Sequence, residues 1–318
     1  MAVYRLFGVI FLNRAIHAIR TVCIVLAILS LASFIFIYTD HQAQAQLSGP
    51  DISMDSDSVT ISVQDDPSGI LAGITATDSS GQDVSGLLIV ESLGNFIAPS
   101  TREAVIAAFD HAGNVSKVVR TVVYSDYTSP KLALSGPLIS TVSASSAMLD
   151  RITVTDCLDG DITDQMVLSQ NGGNVIYTIG EFQILLQASN SAGDTLEVPL
   201  TIEYINPAEE RTRPVIALTN YLIYVKAGTQ VNPEAYLKSL TLDGSEYIYD
   251  LVHDVFIRKG NTYQQAMNSV DKDLLIPLSA LRISDPAAYG TPGAYEIEYQ
   301  CTSAAGVPGT VRLVVIVE

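Results

Sequence analysis

The chain has 318 residues, of which 48% are hydrophobic and 16% charged, a composition that argues against an intrinsically disordered protein. Beyond residue 38 it carries 14 basic and 34 acidic side chains, a net charge of −20. Nucleic-acid phosphates would be repelled by such a surface, so no nucleic-acid partner is expected. The three cysteines, Cys23, Cys157 and Cys301, lack the spacing of a zinc site or a disulfide framework.

The first predicted element is an apolar helix. Residues 21–38 (TVCIVLAILSLASFIFIY) contain no charge and would span about 27 Å as a helix, close to the thickness of a bilayer core. Three arginines, Arg5, Arg14 and Arg20, precede this run. The positive-inside rule therefore predicts a single-pass signal anchor in the cell membrane, with a cytoplasmic N-terminus and an extracytoplasmic C-terminus. Residues 1–20 form an amphipathic lead, expected along the inner membrane surface.

A second interpretation of this segment stays open. Ala43-Gln44-Ala45 has the A-x-A form of a signal-peptidase site, so the chain would be secreted after cleavage near Ala45. The long lead and the length of the apolar run favour the uncleaved anchor.

An internal repeat organises the rest of the chain. Pro50, Pro130 and Pro214 each begin a similar segment, and each is followed by an Ala-Gly pair whose glycine lies 63, 63 and 92 residues later. Alternating apolar and polar residues with frequent turn signals predict β-strands. The sequence therefore predicts an all-β chain of three tandem Ig-like antiparallel β-sandwiches after the transmembrane helix. These modules occupy residues 48–126, 127–206 and 210–318, and the third carries about 29 extra residues near 243–286.

The repeat resembles bacterial Ig-like domains of the hyalin-repeat-like type. The resemblance rests on the proline-led first strand, the D-x-x-D-G-D-I-T element at 156–163, the strand and Ala-Gly hairpin near the end of each module, and residues 225–237 of the third module. It covers roughly 270 residues. It implies β-sandwiches that serve as spacers, stalks or adhesive modules on exported proteins, usually without catalysis. The third module departs from the pattern by its insertion and by its missing aspartate element.

The aspartates of the second module are a candidate metal site. Asp156, Asp159, Asp161 and Asp164 fall within nine residues, and Ca²⁺ prefers several oxygen ligands. The spacing does not match an EF-hand, and no glutamate closes the loop. The alternative is a turn in which aspartates accept backbone N–H groups. The parallel pair Asp78 and Asp83 in the first module favours that alternative, so no cofactor is expected beyond this candidate Ca²⁺.

The third module holds nine of the 15 tyrosines, and tyrosine is common at interfaces. Tyr247, Tyr249 and Tyr263 lie in the insertion and are the candidate partner-binding residues. The insertion also contains one predicted short helix, Thr262–Val270. Long loops on a rigid scaffold often carry function, which predicts a recognition surface here.

No catalytic motif appears: no G-x-S-x-G elbow, phosphate loop or cysteine–histidine pair. The chain is predicted not to be an enzyme. The favoured function is a membrane-anchored display protein whose modules form a spacer and adhesion stalk for an extracellular protein or glycan. A structural component of a cell-envelope assembly is the alternative. An envelope hydrolase that uses His253 or Asp254 is the least favoured hypothesis.

Overall fold

A computed structural model describes residues 19–37, 49–170, 173, 177–286 and 288–318. Helix α1 is described over Ile19–Ile37, and all its residues are exposed. Within the described ranges it is the one helix that is long and apolar enough to cross a membrane. Most of the predicted lead, Tyr38 and the candidate cleavage site at Ala45 lie outside the described residues.

The chain divides into two compact units. The first contains residues up to 94 together with 101–123, and the second contains residues 95–100 together with 124–318. The strands that begin in the first unit are β1 (Asp51–Met54), β2 (Ser58–Ile61), β3 (Ile74–Thr77), β4 (Ile89–Ala98), β5 (Thr101–Phe109) and β6 (Val115–Tyr124).

The first unit has a two-stranded sheet, β1-β3, and a four-stranded sheet, β2-β6-β5-β4. Short 3-10 helices at Pro67–Leu71 and Ser85–Leu87 connect them. Successive side chains of a strand point to opposite faces of the sheet, so every second residue faces the core. Ile74 and Ala76 of β3 are buried, as are Ala104 and Ile106 of β5, while the residues between them in β3 are exposed.

The second unit begins with two sheets that together contain seven strands. They are β7 (Lys131–Leu134), β8 (Ile139–Thr141), β9 (Ile152–Asp156), β10 (Gly160–Asp161), β11 (Val167–Ser169), β12 (Gly180–Ser189) and β13 (Thr195–Ile205). The sheet orders are β10-β9-β7 and β11-β12-β13-β8. The short helix α2 (Ser145–Leu149) was not predicted, and it carries the fully buried Met148 into the core.

Nine strands complete the second unit. They are β14 (Val215–Leu218), β15 (Leu222–Val225), β16 (Leu237–Leu242), β17 (Ser245–Asp250), β18 (Val255–Arg258), β19 (Leu275–Pro277), β20 (Arg282–Ser284), β21 (Gly293–Thr302) and β22 (Pro308–Val317). The sheet orders are β14-β16-β17-β18-β19 and β15-β22-β21-β20. Strands β14, β16 and β17 correspond to the three-stranded sheet before them, and β18 and β19 extend it.

The predicted fold class is confirmed: facing sheets enclose apolar cores after one N-terminal apolar helix. One core contains Leu132, Leu186 and Tyr204, and another contains Phe256, Ile297 and Tyr299. In the second unit, β8 pairs parallel with β13 and β15 pairs parallel with β22.

The predicted helix of the insertion is present but shorter. Helix α3 spans Tyr263–Met267, and Thr262 and Gln265 form a reciprocal capping box at its start. Asn268 caps its end, so the helix stops at Met267, three residues before the predicted limit at Val270.

The two sandwiches of the second unit share apolar contact. Val314 of β22 is buried in the core that contains Leu132 and Tyr204, and Leu222 and Ile316 pack against that core. These strands therefore bury side chains on both faces, in agreement with the nearly continuous apolar sequence of β22.

Candidate functional site

The insertion begins at a tight turn that places its strands. Asp243 has φ of 48° and Gly244 has φ of 79°, the two positive angles that a type I′ hairpin turn requires. Strands β16 and β17 therefore pair directly from Leu242 and Ser245 onward. Strand β18 then pairs with β17 so that Arg258 lies opposite Tyr247.

A cavity of about 360 Å³ opens beside this turn. We call it the Arg258 cavity, and it is lined by Leu242, Asp243, Ser245, Tyr247, Arg258, Lys272, Asp273, Leu275 and Ile276. Its lining combines aliphatic side chains with two basic and two acidic residues. The polar and charged residues outnumber the aliphatic ones, so a ligand of this cavity would be held mainly through polar groups.

Tyr247 is positioned by a hydrogen bond that crosses the insertion. Its hydroxyl donates to the backbone carbonyl of Asp273 at 3.0 Å, and only 6% of the residue is exposed. The ring therefore belongs mainly to the core of the sandwich. Tyr247 ties the 3-10 turn Lys272–Leu274 to β17 and contributes to the cavity lining.

The two basic residues of the Arg258 cavity form no direct ion pair among the described residues. Across the described parts of the chain, no carboxylate lies within 4.0 Å of the side-chain nitrogens of Arg258 or Lys272. The next residue, Lys259, instead forms an ion pair with Glu246 at 2.6 Å. Arg258 and Lys272 are not among the residues predicted from the sequence, because they are 14 residues apart and only the tertiary structure brings them to one cavity.

Tyr249 and Tyr263 lie at a separate feature, the turn after β17. The hydroxyl of Tyr249 donates to Asp254 at 3.1 Å, and burial together with this bond raises the pKa of Tyr249 to about 12. Tyr263 stacks on His253 with a ring separation of 3.7 Å. The candidate tyrosines therefore do not form one cluster, since neither of these two lines the Arg258 cavity.

His253 forms a hydrogen bond with Asp250 in the same turn. Its Nδ1 lies 2.7 Å from a carboxylate oxygen of Asp250, and this hydrogen bond lowers the pKa of Asp250. The least favoured catalytic residues, His253 and Asp254, thus have structural partners in a surface turn.

The four candidate calcium ligands mostly accept hydrogen bonds from the protein. Asp156 accepts from the backbone N–H groups of Leu158 and Asp159. Asp159 accepts from the N–H and hydroxyl of Ser191 at 2.5 and 2.7 Å. Asp161 accepts from the N–H and hydroxyl of Thr163, while Asp164 is exposed in the following 3-10 turn.

These bonds form a turn of the kind weighed as the alternative to a metal site. Within the described residues, no group of three His, Cys, Asp or Glu side chains is arranged to hold a metal ion. Calcium binding stays a prediction, which a calcium-dependent rise of the unfolding temperature would test.

The aspartate element has the same geometry in both modules that contain it. Asp83 accepts from the N–H and hydroxyl of Ser85 at 2.9 and 2.6 Å, as Asp161 does from Thr163. In each case the hydroxyl bond is the main cause that lowers the pKa of the aspartate. Asp83 and Asp161 are therefore a repeated turn-forming device.

The structure also reveals a polar network in the second unit that was not predicted. Asn190 accepts the N–H groups of Ala192 and Asp194, and its amide nitrogen donates to the hydroxyl of Tyr127 and to Asp156. The signal was present in the repeat, because each Ala-Gly pair is preceded by a polar residue: Asp110, Asn190 or Ser303. All three are buried, and each accepts N–H groups of its own turn.

No family model matches this chain, so the resemblance to hyalin-repeat-like domains stays a prediction. A similar sequence occurs in an uncharacterised 81.3 kDa protein of Acholeplasma phage L2, which is 24% identical over 189 residues. The match covers 58% of this chain and 23% of the phage protein, so the chain spans less than a quarter of that relative.

Several solved structures align with low similarity. The extracellular domain of protocadherin GammaB4 has 14% identity and a TM-score of 0.17, and the alignment covers 85% of this chain and 49% of that one. Domains 6–7 of the surface layer protein SbsC have 11% identity and a TM-score of 0.20, over 50% and 99% of the two chains. A Clostridium perfringens ZmpB fragment with its M60 catalytic and CBM51 domains has 12% identity and a TM-score of 0.20, over 84% and 30%. TM-scores this low carry no functional information.

Proposed function

We propose that this chain is a membrane-anchored, non-enzymatic display protein whose β-sandwiches form an extracytoplasmic stalk. The observation that carries the proposal is α1, a fully exposed apolar helix followed by a net charge of −20 in β-structure. An exposed apolar helix of this length is stable in lipid, where its backbone groups are satisfied internally.

Rigidity within the second unit supports the role of a stalk. The guanidinium of Arg312 donates to Glu181 at 2.8 Å and to Glu298 at 2.6 Å, and it lies 3.6 Å from Glu296. Only 11% of the Arg312 side chain is exposed. Because Glu181 belongs to β12 and Glu298 to β21, this cluster joins the two sandwiches.

A second polar link lies near the linker that connects these sandwiches. Arg213 donates to Glu203 at 2.6 Å and to the hydroxyl of Thr310 at 2.8 Å, and Thr310 donates to the other oxygen of Glu203. With the apolar contacts of Val314, these bonds hold the last sandwich in a defined orientation. A binding surface on its insertion would therefore be presented rigidly.

Protease protection tests the topology. Arg211 lies in the exposed turn of residues 207–212, so trypsin added to intact bacterial cells that express the full chain should cleave there. The Arg211→Gln variant is the matched control and should lose that fragment. Cleavage that requires permeabilised cells would contradict the outside location, and a chain found mainly in the medium would contradict the anchor.

A further inference from the structure

We propose that the Arg258 cavity binds the carboxylate of an extended peptide, with Arg258 and Lys272 taking up its negative charge. This inference deepens the proposed function, because it names the class of partner that the displayed sandwich would bind. It rests on the geometry of the insertion.

The positive charges of Arg258 and Lys272 favour a carboxylate as the ligand. The chain beyond residue 38 carries 34 acidic and 14 basic side chains, and Arg258 and Lys272 bring two positive charges to one cavity of it. Arg258 is half-buried and Lys272 is exposed, and both line the same cavity without a carboxylate partner. A guanidinium can receive a carboxylate through two parallel hydrogen bonds, and an ammonium adds a second positive charge.

The uncharged part of the lining favours a ligand with an apolar side chain. Leu242, Leu275 and Ile276 supply aliphatic surface and Ser245 supplies a hydroxyl. The volume of about 360 Å³ falls within the range of about 300–1,000 Å³ that is typical of small-ligand pockets. An apolar side chain adjacent to a carboxylate matches this combination. A sugar acid matches it less well, because the aromatic residue of the lining, Tyr247, is 6% exposed and offers little ring face for stacking.

The acidic residues of the lining, Asp243 and Asp273, are expected to weaken carboxylate binding. The carboxylate of Asp243 lies 3.5 Å from the backbone N–H of Ala304, and the carboxylate of Asp273 is exposed at the rim. Both would repel an incoming carboxylate. Removal of the Asp273 charge is therefore expected to strengthen binding, a result that a purely structural role for the cavity would not produce.

The binding test uses the full chain in phosphatidylcholine nanodiscs and isothermal titration calorimetry, with empty nanodiscs as the blank. The probes are N-acetyl-leucyl-leucine, its C-terminal amide and glucuronate. The peptide acid is expected to bind at least tenfold more tightly than the amide and more tightly than glucuronate. Equal binding of acid and amide, tighter binding of glucuronate, or no binding of the peptide acid would overturn the proposal.

Charge variants test the assigned residues. Arg258→Gln and Lys272→Gln should each weaken binding of the peptide acid at least fivefold, and Asp273→Asn should strengthen it about twofold or more. Lys259→Gln is the matched control, because Lys259 is already paired with Glu246, and it should leave binding unchanged. Equal losses in the Lys259 and Lys272 variants would show a general charge effect and overturn the site.

The Arg258→Lys variant controls for misfolding. It keeps the positive charge but removes the guanidinium, which can donate two parallel hydrogen bonds to a carboxylate. It should bind with an affinity between those of the native chain and Arg258→Gln, with an unchanged circular dichroism spectrum. The trypsin experiment does not depend on these measurements, so a failure of peptide binding and a failure of the membrane topology are distinguishable.

Discussion

The carboxylate of Glu296 accepts a hydrogen bond from the backbone N–H of Thr201 at 2.7 Å, across 95 residues of sequence. Strand β13 pairs with β12 along its length, but β8 covers its other edge only from Glu203 to Ile205. In the part of β13 that β8 does not cover, Pro199 has no backbone N–H. Glu296 therefore satisfies an edge donor that would otherwise be left between two sandwiches.

Removal of this acceptor should destabilise the second unit. Glu296→Ala is expected to lower the free energy of unfolding by about 1–3 kcal/mol, the usual cost of a partly buried donor left without a partner. Urea denaturation followed by circular dichroism measures it. Glu197→Ala is the control, because Glu197 contacts Gln187 on an exposed part of β13. A loss no larger than that of the control would contradict the capping role.

Replacement of one partner of the Glu203–Arg213 ion pair should lower the free energy of unfolding. Both side chains are about one-tenth exposed, so Arg213→Met leaves a nearly buried carboxylate that keeps, among the described side chains, the Thr310 hydroxyl as its partner. The expected loss is about 3 kcal/mol in unfolding free energy. The double variant Arg213→Met with Glu203→Gln should recover part of it in the same denaturation experiment. A double variant that is less stable than the single one would refute this explanation.

Asn190→Asp tests the polar network of the second unit. The substitution keeps the acceptor for the turn but removes the donors to Tyr127 and Asp156, and it places a second acid about 3.1 Å from the Asp156 carboxylate. We expect a loss of about 2 kcal/mol at neutral pH. Asn206→Asp is the control, since the side-chain oxygen of Asn206 accepts the N–H of Ala208 in an exposed turn that lies outside this network. Equal thermal stability of the two variants would contradict the role of the network.

The repeated turn aspartates predict acid sensitivity. Hydrogen bonds from Ser85 and Thr163 lower the folded-state pKa of Asp83 and Asp161 below that of the unfolded chain. Their stabilisation is therefore present above the unfolded pKa of about 4 and is lost as pH falls through the lower folded value. Asp161→Asn should be less stable than the native chain at pH 6, and the difference should shrink toward pH 2. A difference that does not change with pH would rule out this linkage.

Local patterns in the sequence were sufficient for much of the architecture. The uncharged run at 21–38 and the alternation of apolar and polar residues each reflect interactions between near neighbours, and the proline-to-glycine interval of 63 residues is a repeat that the sequence shows directly. Such interactions act within one helix or one hairpin, so they can be predicted without knowing how sheets pack. The capping box of Thr262 and Gln265 is of the same local kind.

The sequence by itself therefore determined the apolar helix, the strand-rich repeat and the turns in which Asp83 and Asp161 lie. Only the tertiary structure decided that Tyr247 is buried, that Asn190 reaches Asp156, and that Arg258 and Lys272 line the same cavity. The physical reason is that these residues are far apart along the chain. Their contacts depend on strand order and sheet packing, which local periodicity does not encode.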